Sequence, residues 1–395
     1  MDWTVRNFPD PAGCVVVGNV AFLSGYTGDP AAARVEDQVV AALDKARLAL
    51  ETAGGSMANI VKTFFLITDL ADYARVRKTE TEYYEKHAPQ LVMTPPAATL
   101  MVVPSLARPG LKMQYEAIGA ADRGRAEWAV KYYPEFWGGR ELAYPHVPKE
   151  HAKFARSQSV GNLLIVSGCQ ALDHDTIKVE TDDFDAQSRI VLDKVRVAME
   201  ETGGSLANVV KTNVFIKDAA MLHRYRDVEQ SFFRAHAPAF VDRPPASTVF
   251  VMTELPRREF LIEVEAFGVA DARAPGWPTR YHAGAVSAGN LIFLSGCDAF
   301  AAAEARSIAP QVVAALDKIK AAMERAGSSM NNVVKTTLML RDLDDYPAMR
   351  ATELAYYRQH APRLVAHPPA CTFMQVPAIG DDPSARFQID AIGVM

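Results

Sequence analysis

The chain has 395 residues, of which 49% are hydrophobic and 23% are charged, and its formal net charge is −5. These values are typical of a globular protein with two to four domains. The sequence has no basic stripe and no apolar stretch near the ~18 residues of a membrane span, so we expect neither a nucleic-acid partner nor a membrane partner.

Two apolar segments flank a Gly-Asn turn at residues 18–19, and the second segment ends at Ser24-Gly25. Apolar segments around such a turn are typical of a β-hairpin. A helix is predicted next, because apolar residues recur every three to four positions up to Leu50. Glycines at positions 54–55 indicate that this helix ends there.

The segment VKTFFLI, which begins at Val61, is rich in β-branched and aromatic residues and is predicted to be a strand. A second helix ends before Pro89, and two further strands begin near Thr99 and Lys112. The predicted order is therefore β-β-α-β-α-β-β. This is an α+β domain in which helices cover one face of a mixed sheet.

This set of elements occurs three times. The hairpin reads VGNVAFLSG at residues 17–25, VGNLLIVSG at 160–168 and AGNLIFLSG at 288–296, and the closing strand reads YEAIG, VEAFG and IDAIG at 115–119, 264–268 and 389–393. The period far exceeds that of a solenoid repeat, so each unit can hold its own core. We assign unit 1 to residues 1–121, unit 2 to 151–271 and unit 3 to 272–395. The aromatic linker at 122–150 is expected to pack on the surface or to cover a pocket.

The motifs (V/A)GN…SG, NxVKT and EAxG together resemble the RidA (YjgF/YER057c/UK114) family, and the resemblance covers all three units. It implies a chorismate-mutase-like α+β domain, which in this family usually forms homotrimers with pockets between protomers. Three tandem copies should therefore fold as an intramolecular pseudo-trimer with three clefts and the helices outside. The resemblance also implies hydrolysis of reactive imines and enamines to ketones and ammonia without metal or cofactor. We expect a monomer or a low-order homo-oligomer that binds a small molecule.

The units depart from this family at the residue that follows the Pro-Ala before the fourth strand. Deaminating members have an arginine there, whose guanidinium clamps the substrate carboxylate. This chain has Ala98, Ser247 and Cys371 instead, so we expect very weak hydrolysis of 2-imino acids. The acidic residue of the closing strand is kept, as Glu116, Glu265 and Asp390.

Other pocket positions of the resembled family differ between the units. In the resembled family a pocket tyrosine lies seven residues before the hairpin glycine. The residues at that distance in this chain are Pro11, Phe154 and His282. The serine at the hairpin end is kept as Ser24, Ser167 and Ser295, and two positions later stand Tyr26, Cys169 and Cys297. The resemblance implies that these residues line the clefts and contact substrate, so the three clefts should differ in chemistry.

The grouping of these residues depends on the order of the units around the ring. In one order a single cleft gathers Ser247, Glu265, His282, Ser295 and Cys297. In the opposite order Cys371 and Asp390 meet Phe154, Ser167 and Cys169. The sequence does not decide between the two orders.

We predict that the catalytic cleft is the one that contains His282, because an imidazole can act as a general base without a metal. Glu265 or Glu116, according to the ring order, would orient the imidazole. Ser247 or Cys297 would then supply a nucleophile or an oxyanion donor. The rival catalytic residue is Cys371, whose thiolate would be opposed by the like charge of Asp390 if the two share a cleft.

Two functions stay open. The first is a cofactor-independent hydrolase or deaminase that acts on a small nitrogen-containing metabolite, which is an enamine, imine, lactam or amide. The alternative is a non-catalytic binding or scaffold protein in which this chemistry has lapsed.

A glutamate in the second helix recurs in every unit, at Glu80, Glu229 and Glu353. It is either a shared structural contact or a pocket acid.

The four cysteines lie far apart and form no CxxC pair, so reduced thiols are expected rather than disulfides or a zinc site. Neither a phosphate-binding glycine loop nor a metal-ligand cluster is apparent, which predicts no cofactor and no metal. The first residues lack the basic and apolar regions of a signal peptide. We therefore expect a cytoplasmic protein.

Overall fold

The computed structural model describes residues 1–9, 13–143, 146–298 and 307–395. Unit 1 contains β1 (Val5–Phe8), β2 (Cys14–Val17), β3 (Val20–Leu23), β4 (Tyr26–Thr27), α1 (Val35–Thr52), β5 (Ile60–Ile67), α2 (Tyr73–His87), α3 (Gln90–Met93), β6 (Ala97–Val102) and β7 (Met113–Ala120). The linker contains β8 (Val130–Pro134), β9 (Phe136–Trp137) and β10 (Arg140–Glu141).

Units 2 and 3 keep the order of the main strands and of the two long helices. Unit 2 contains β11 (Ala155–Val160), β12 (Leu163–Gln170), β13 (Leu172–Asp173), β14 (Lys178–Val179), α4 (Phe184–Glu201), β15 (Val209–Ile216), α5 (Leu222–His236), β16 (Ala246–Val251) and β17 (Ile262–Val269). Unit 3 contains β18 (Thr279–His282), β19 (Ala285–Ala288), β20 (Leu291–Leu294), β21 (Cys297–Asp298), α6 (Ile308–Arg325), β22 (Val333–Leu340), α7 (Tyr346–His360), α8 (Arg363–Ala366), β23 (Ala370–Gln375) and β24 (Phe387–Val394).

The three large sheets share one topology. Their strand orders are β1-β2-β3-β7-β5-β6, β8-β11-β12-β17-β15-β16 and β18-β19-β20-β24-β22-β23. The pairs β5–β6, β15–β16 and β22–β23 are parallel, while their other pairings are antiparallel. The prediction of three tandem α+β domains is confirmed. The edge strands β1, β8 and β18 were not predicted, because these short segments mix polar and apolar residues.

The hairpins form where the sequence predicts them. Gly18 turns the chain from β2 to β3 with a φ of +60°, a conformation that L side chains rarely adopt. A Cβ atom at this position would also lie 2.4 Å from the Trp128 ring. Glycine is therefore required both by the turn and by the packing of the linker against it.

Each sheet packs its own helices on the outer face, and the inner faces of the three sheets meet in a shared core. That core takes equivalent residues from every unit, including Val61, Val210 and Val334. Three tryptophans, Trp3, Trp128 and Trp277, close one end of it with ring centroids 4.9–5.8 Å apart. The units therefore form the predicted pseudo-trimer. Among the described residues, no helix is long and apolar enough to cross a membrane.

Candidate active site

The units join through the serines at the hairpin ends. Each serine oxygen accepts a backbone N–H bond from the fourth strand of the preceding unit, namely Ser167 from Ala98 at 2.9 Å, Ser295 from Ser247 at 3.2 Å and Ser24 from Cys371 at 3.0 Å. This pattern defines a first cleft between units 1 and 2, a second between units 2 and 3, and a third between units 3 and 1. The units thus follow the first of the two predicted ring orders.

The acidic residues of the closing strands pair across the same interfaces. Between units 1 and 2, in the central space that all three units line, Lys62 Nζ lies 2.6 Å from Glu265 Oε2 and 2.5 Å from Thr99 Oγ1. Asn213 donates to the other Glu265 oxygen at 2.8 Å. Burial acts to raise the pKa of Glu265, but Lys62 and these hydrogen bonds hold it below its ordinary value. This carboxylate is therefore committed to an ion pair that joins the two units.

Equivalent pairs join the other units. Lys211 binds Asp390 and Thr248, and Lys335 lies 2.8 Å from Glu116 and 2.6 Å from Thr372. These pairs correct two expected groupings, since Glu265 does not share a cleft with His282 and Asp390 does not share one with Cys371. The physical reason is the sheet order. The closing strand β17 is the direct neighbour of β12, so both face unit 1.

Sequence reasoning missed an arginine that stands three residues before the recurring glutamate of the second helix. Its guanidinium pairs with that glutamate in all units, as Arg77 with Glu80 at 2.9 Å, Arg226 with Glu229 at 2.7 Å and Arg350 with Glu353. The recurring glutamate is therefore the ion-pair partner of an arginine in every unit. The signal that was available is the R-x-x-E spacing, which recurs at 77–80, 226–229 and 350–353.

These arginines lie where the family arginine is missing. Arg226 Nη1 is 3.2 Å from Ser247 Oγ, and Arg350 Nη2 is 3.7 Å from Cys371 Sγ. Arg77 lines the same cavity as Ala98. A guanidinium from the second helix therefore lies near each strand position that lacks the family arginine, and the weak hydrolysis of 2-imino acids that the sequence predicts stays a prediction.

The first cleft contains two adjoining cavities of about 110 and 380 Å³. Both are lined by Phe154, Gly168, Gln170, Leu172 and His174. The linker contributes Leu142 to the smaller cavity and Glu135 and Phe136 to the larger one, and His151 of unit 2 also lines the smaller one. The linker therefore covers a pocket that Phe154 also lines. Contact of Phe154 with a substrate stays a prediction.

Arg77 is the buried cation of the smaller cavity. Its side chain is only 4% exposed and stacks over the Phe65 ring at 5.1 Å. One of its terminal nitrogens binds Glu80, while its Nε has no hydrogen-bond partner among the residues that the structure describes. A buried guanidinium with a spare donor is suited to bind a small carboxylate.

A histidine and a glutamate face each other at the junction of the two cavities. His174 Nδ1 lies 3.3 Å from Glu135 Oε1, and Arg156 Nη2 lies 2.8 Å from the same oxygen. Burial acts to raise the pKa of Glu135, but His174 and Arg156 lower it to about 2. Glu135 therefore stays ionised and can orient the imidazole.

His282 lies in the second cleft, where it lines a cavity of about 370 Å³ together with Ser295. Its Nε2 is 3.3 Å from Ser287 Oγ. By strand register its counterparts are Phe8 and Tyr133, because the loops after β1 and β8 differ in length from the loop after β18. Its catalytic role stays a prediction. Pro11, which the counting had matched to it, lies outside the described residues.

Burial raises the pKa of both the Cys169 and the Cys297 thiol to about 12. Each Sγ contacts the backbone oxygen of its own hairpin serine. Tyr26 packs in the core of unit 1 and donates to the Gly13 carbonyl oxygen at 3.2 Å. All three side chains pack in the cores of their units, and Cys169 also lines the larger cavity of the first cleft together with Ser167. Across the described ranges, no group of three or more His, Cys, Asp or Glu residues could hold a metal ion.

Comparison with known proteins matches the family model described as Endoribonuclease L-PSP to residues 12–121, 145–270 and 272–395. A RutC family protein of Sulfurisphaera tokodaii is 32% identical over 117 residues, which is 30% of this chain and 87% of the relative. The 2-iminobutanoate/2-iminopropanoate deaminase of Escherichia coli K12 is 30% identical over 130 residues, 33% of this chain and 97% of the relative. The structure of the E. coli YjgF gene product is 31% identical, with a TM-score of 0.27 over 29% of this chain and 86% of that chain.

Proposed function

Because the chain belongs to the RidA (Endoribonuclease L-PSP) family, we propose that it hydrolyses a small carboxylate-bearing imine or enamine to a carbonyl compound and ammonia in the first cleft. The related E. coli protein is named a deaminase of 2-imino acids. The observation that carries the proposal is the buried Arg77 that lines the smaller cavity of the first cleft. It supplies the cation that the strand position Ala98 lacks.

The residues of this cleft have complementary roles in the proposed reaction. Arg77, which lines the cavity, binds the substrate carboxylate, and Phe154 and Leu100 pack against the apolar body of the substrate. His174, oriented by Glu135, faces the same cavity. An imidazole held by a carboxylate is a common general base.

Hydrolysis adds water across the C=N bond. His174 accepts a proton from water while the water oxygen bonds to the imine carbon, and the nitrogen receives a proton as the π bond breaks. The resulting carbinolamine expels ammonia when its hydroxyl group loses a proton and forms the C=O bond. Each proton taken from oxygen returns to nitrogen, so the reaction consumes one water and releases one ammonia.

The test is ammonia release from 2-imino acids generated in the assay by an amino-acid oxidase. Arg77→Met should lower kcat/KM by about 30-fold or more, since removing one partner of a buried charge pair costs about 2 kcal/mol or more. Arg226→Met and Arg350→Met are matched controls in the other clefts and should retain activity. An Arg77→Met variant with full activity would refute the proposal.

The same assay distinguishes the rival sites. If His282→Phe abolishes activity while Arg77→Met does not, the reaction belongs to the second cleft, as the sequence predicts. If Cys371→Ser alone abolishes it, the reaction belongs to the third. Binding of a 2-oxo acid that depends on Arg77, without any ammonia release, would favour the alternative of a non-catalytic binding protein.

A further inference from the structure

A second arginine lines the smaller cavity of the first cleft. Arg257 lies in the loop between β16 and β17 of unit 2, whereas Arg77 lies on α2 of unit 1, so the two residues line the cavity from different units. The other ionisable residues in the lining are Tyr73, His151 and His174, and no aspartate or glutamate from the described ranges lines this cavity. A wall with cations and no carboxylate is suited to anionic ligands.

The charges of the two arginines are balanced differently. Arg77 is buried and pairs with Glu80 at 2.9 Å. Arg257 is only partly buried, and its Nη1 donates to the Ile177 carbonyl oxygen at 3.1 Å. A carbonyl oxygen is uncharged, and Arg257 forms no salt bridge with any residue that the structure describes. A substrate carboxylate bound to Arg77 would therefore leave Arg257 without an anionic partner.

A hairpin of unit 2 holds Arg257. In the turn between β13 and β14, Ile177 has a φ of +62°, which a β-branched residue rarely adopts. Asp173 Oδ1 fixes the turn by accepting the N–H groups of Asp175 and Thr176 at 2.8 and 3.1 Å. Such backbone strain clusters at ligand sites. The described residues of unit 1 form no hairpin between β4 and α1, so the strained turn that orients Arg257 distinguishes unit 2 from unit 1.

Arg257 also lies where the smaller cavity meets a further space. Together with His151 it lines a cavity of about 370 Å³ on the side of the linker. The linker contributes Arg140, Glu141 and His146 to the wall of that cavity. A ligand held at Arg77 thus has room to extend past Arg257, beyond the smaller cavity.

The corresponding loops of the other clefts differ in charge. The unit 3 loop between β23 and β24 contains Asp381 and Asp382, and Asp381 Oδ2 lies 2.7 Å from His223 Nε2 of unit 2. The unit 1 loop between β6 and β7 contains Arg108, which is exposed. The partly buried Arg257 of the first cleft therefore corresponds to acids in the second cleft and to an exposed arginine in the third.

We propose that the first cleft selects substrates with a second anionic group, a carboxylate or a phosphate, which Arg257 binds. The proposal rests on the proposed function of this cleft. Arg77 holds the carboxylate beside the C=N bond, and the fork of the Arg257 guanidinium binds the anion at the far end of the side chain. The substrate class is a 2-imino acid whose side chain ends in an anion. Its hydrolysis gives the matching 2-oxo acid and ammonia, with one water consumed as before.

The test is calorimetric titration of the full chain at pH 7 with 2-oxo acids, the products of the proposed reaction class. Oxaloacetate is compared with 2-oxobutanoate, and 2-oxoglutarate with 2-oxopentanoate, because each pair differs only in a terminal carboxylate that replaces a methyl group. A third arm, 3-phosphonooxypyruvate, carries a phosphate. At least one of the three dianions should bind about tenfold or more tightly than the monocarboxylates, which is the gain expected from a hydrogen bond between charged groups.

Two variants assign this gain to a residue. Arg257→Gln should remove the gain and leave the Kd of 2-oxobutanoate unchanged, which also shows that the variant is folded with an intact cleft. Arg258→Gln is the matched control, because Arg258 is the next residue of the same loop, is exposed and does not line the described cavity. It should keep the full gain.

The outcomes separate this proposal from the proposed function. If no dianion binds more tightly while 2-oxobutanoate binding depends on Arg77, the role of Arg257 is overturned and the proposed function stands. An equal loss of 2-oxobutanoate and dianion binding in Arg257→Gln would assign the single carboxylate to Arg257 and would also overturn that role. Binding of every ligand that is unchanged in Arg77→Met would overturn both proposals.

Discussion

Replacing Glu263 with glutamine should change how the stability of the protein depends on pH. Burial raises the pKa of Glu263, which is fully buried on β17, from its ordinary value of 4.5 to about 8 in the folded state. The folded protein therefore holds a proton that the unfolded chain has released, and stability is lost as pH rises from about 4.5 to about 8. At 1.36 kcal/mol per pKa unit, this interval corresponds to at most about 5 kcal/mol.

The assay is urea denaturation of wild type and Glu263→Gln at pH 5 and pH 8.5, followed by tryptophan fluorescence. The variant should have the higher midpoint at pH 8.5, and the difference between the two proteins should shrink at pH 5, because a glutamine cannot ionise. A smaller difference at pH 8.5 than at pH 5 would refute the reasoning. Gln388→Glu provides the reverse test, since it should introduce an alkaline loss of stability.

Three further predictions concern the joints between the units. Trp3→Ala should leave a cavity at one end of the shared core and so lower the free energy of unfolding by about 3 kcal/mol. It should also reduce the near-ultraviolet circular dichroism of the tryptophan cluster, and an unchanged spectrum would count against that packing. Lys62→Ala should destabilise the fold by about 3–5 kcal/mol, because it leaves the buried Glu265 carboxylate unpaired. The double variant Lys62→Met with Glu265→Gln should lose less stability. Equal losses in denaturation experiments would contradict the pairing. Cys371, which is partly exposed, should react with a thiol reagent at pH 8 before Cys169, which is buried and has a pKa raised to about 12. Mass spectrometry would give the order of labelling, and the reverse order would be inconsistent with these environments.

The fold could be predicted because its signals are local. The Gly-Asn hairpin turn at Gly18, the glycines that follow α1 and the strand segment from Val61 each lie within one short stretch of sequence. Threefold repetition then made a closed pseudo-trimer the natural assembly. The edge strands escaped prediction because β1 and β18 are short and partly exposed, without a clear apolar alternation.

The composition of the clefts could be predicted only in part, since it depends on the order of strands in the sheet. Glu265 was expected near His282, but β17 lies beside β12 and therefore faces unit 1. Arg77 was missed because it lies on α2, whereas the resemblance points to the strand position that the family arginine occupies. The recurring R-x-x-E spacing was visible in the sequence, but only the packing of α2 shows that Arg77 reaches the cavity that Ala98 lines.

The most direct test of the account is a crystal structure of the full chain soaked with 2-oxobutanoate at pH 7. The account predicts the ligand in the first cleft, with its carboxylate within hydrogen-bond distance of the Arg77 guanidinium and its carbonyl carbon facing His174. A ligand bound beside His282 or Cys371, with the first cleft empty and Arg77 in contact with Glu80 alone, would contradict it.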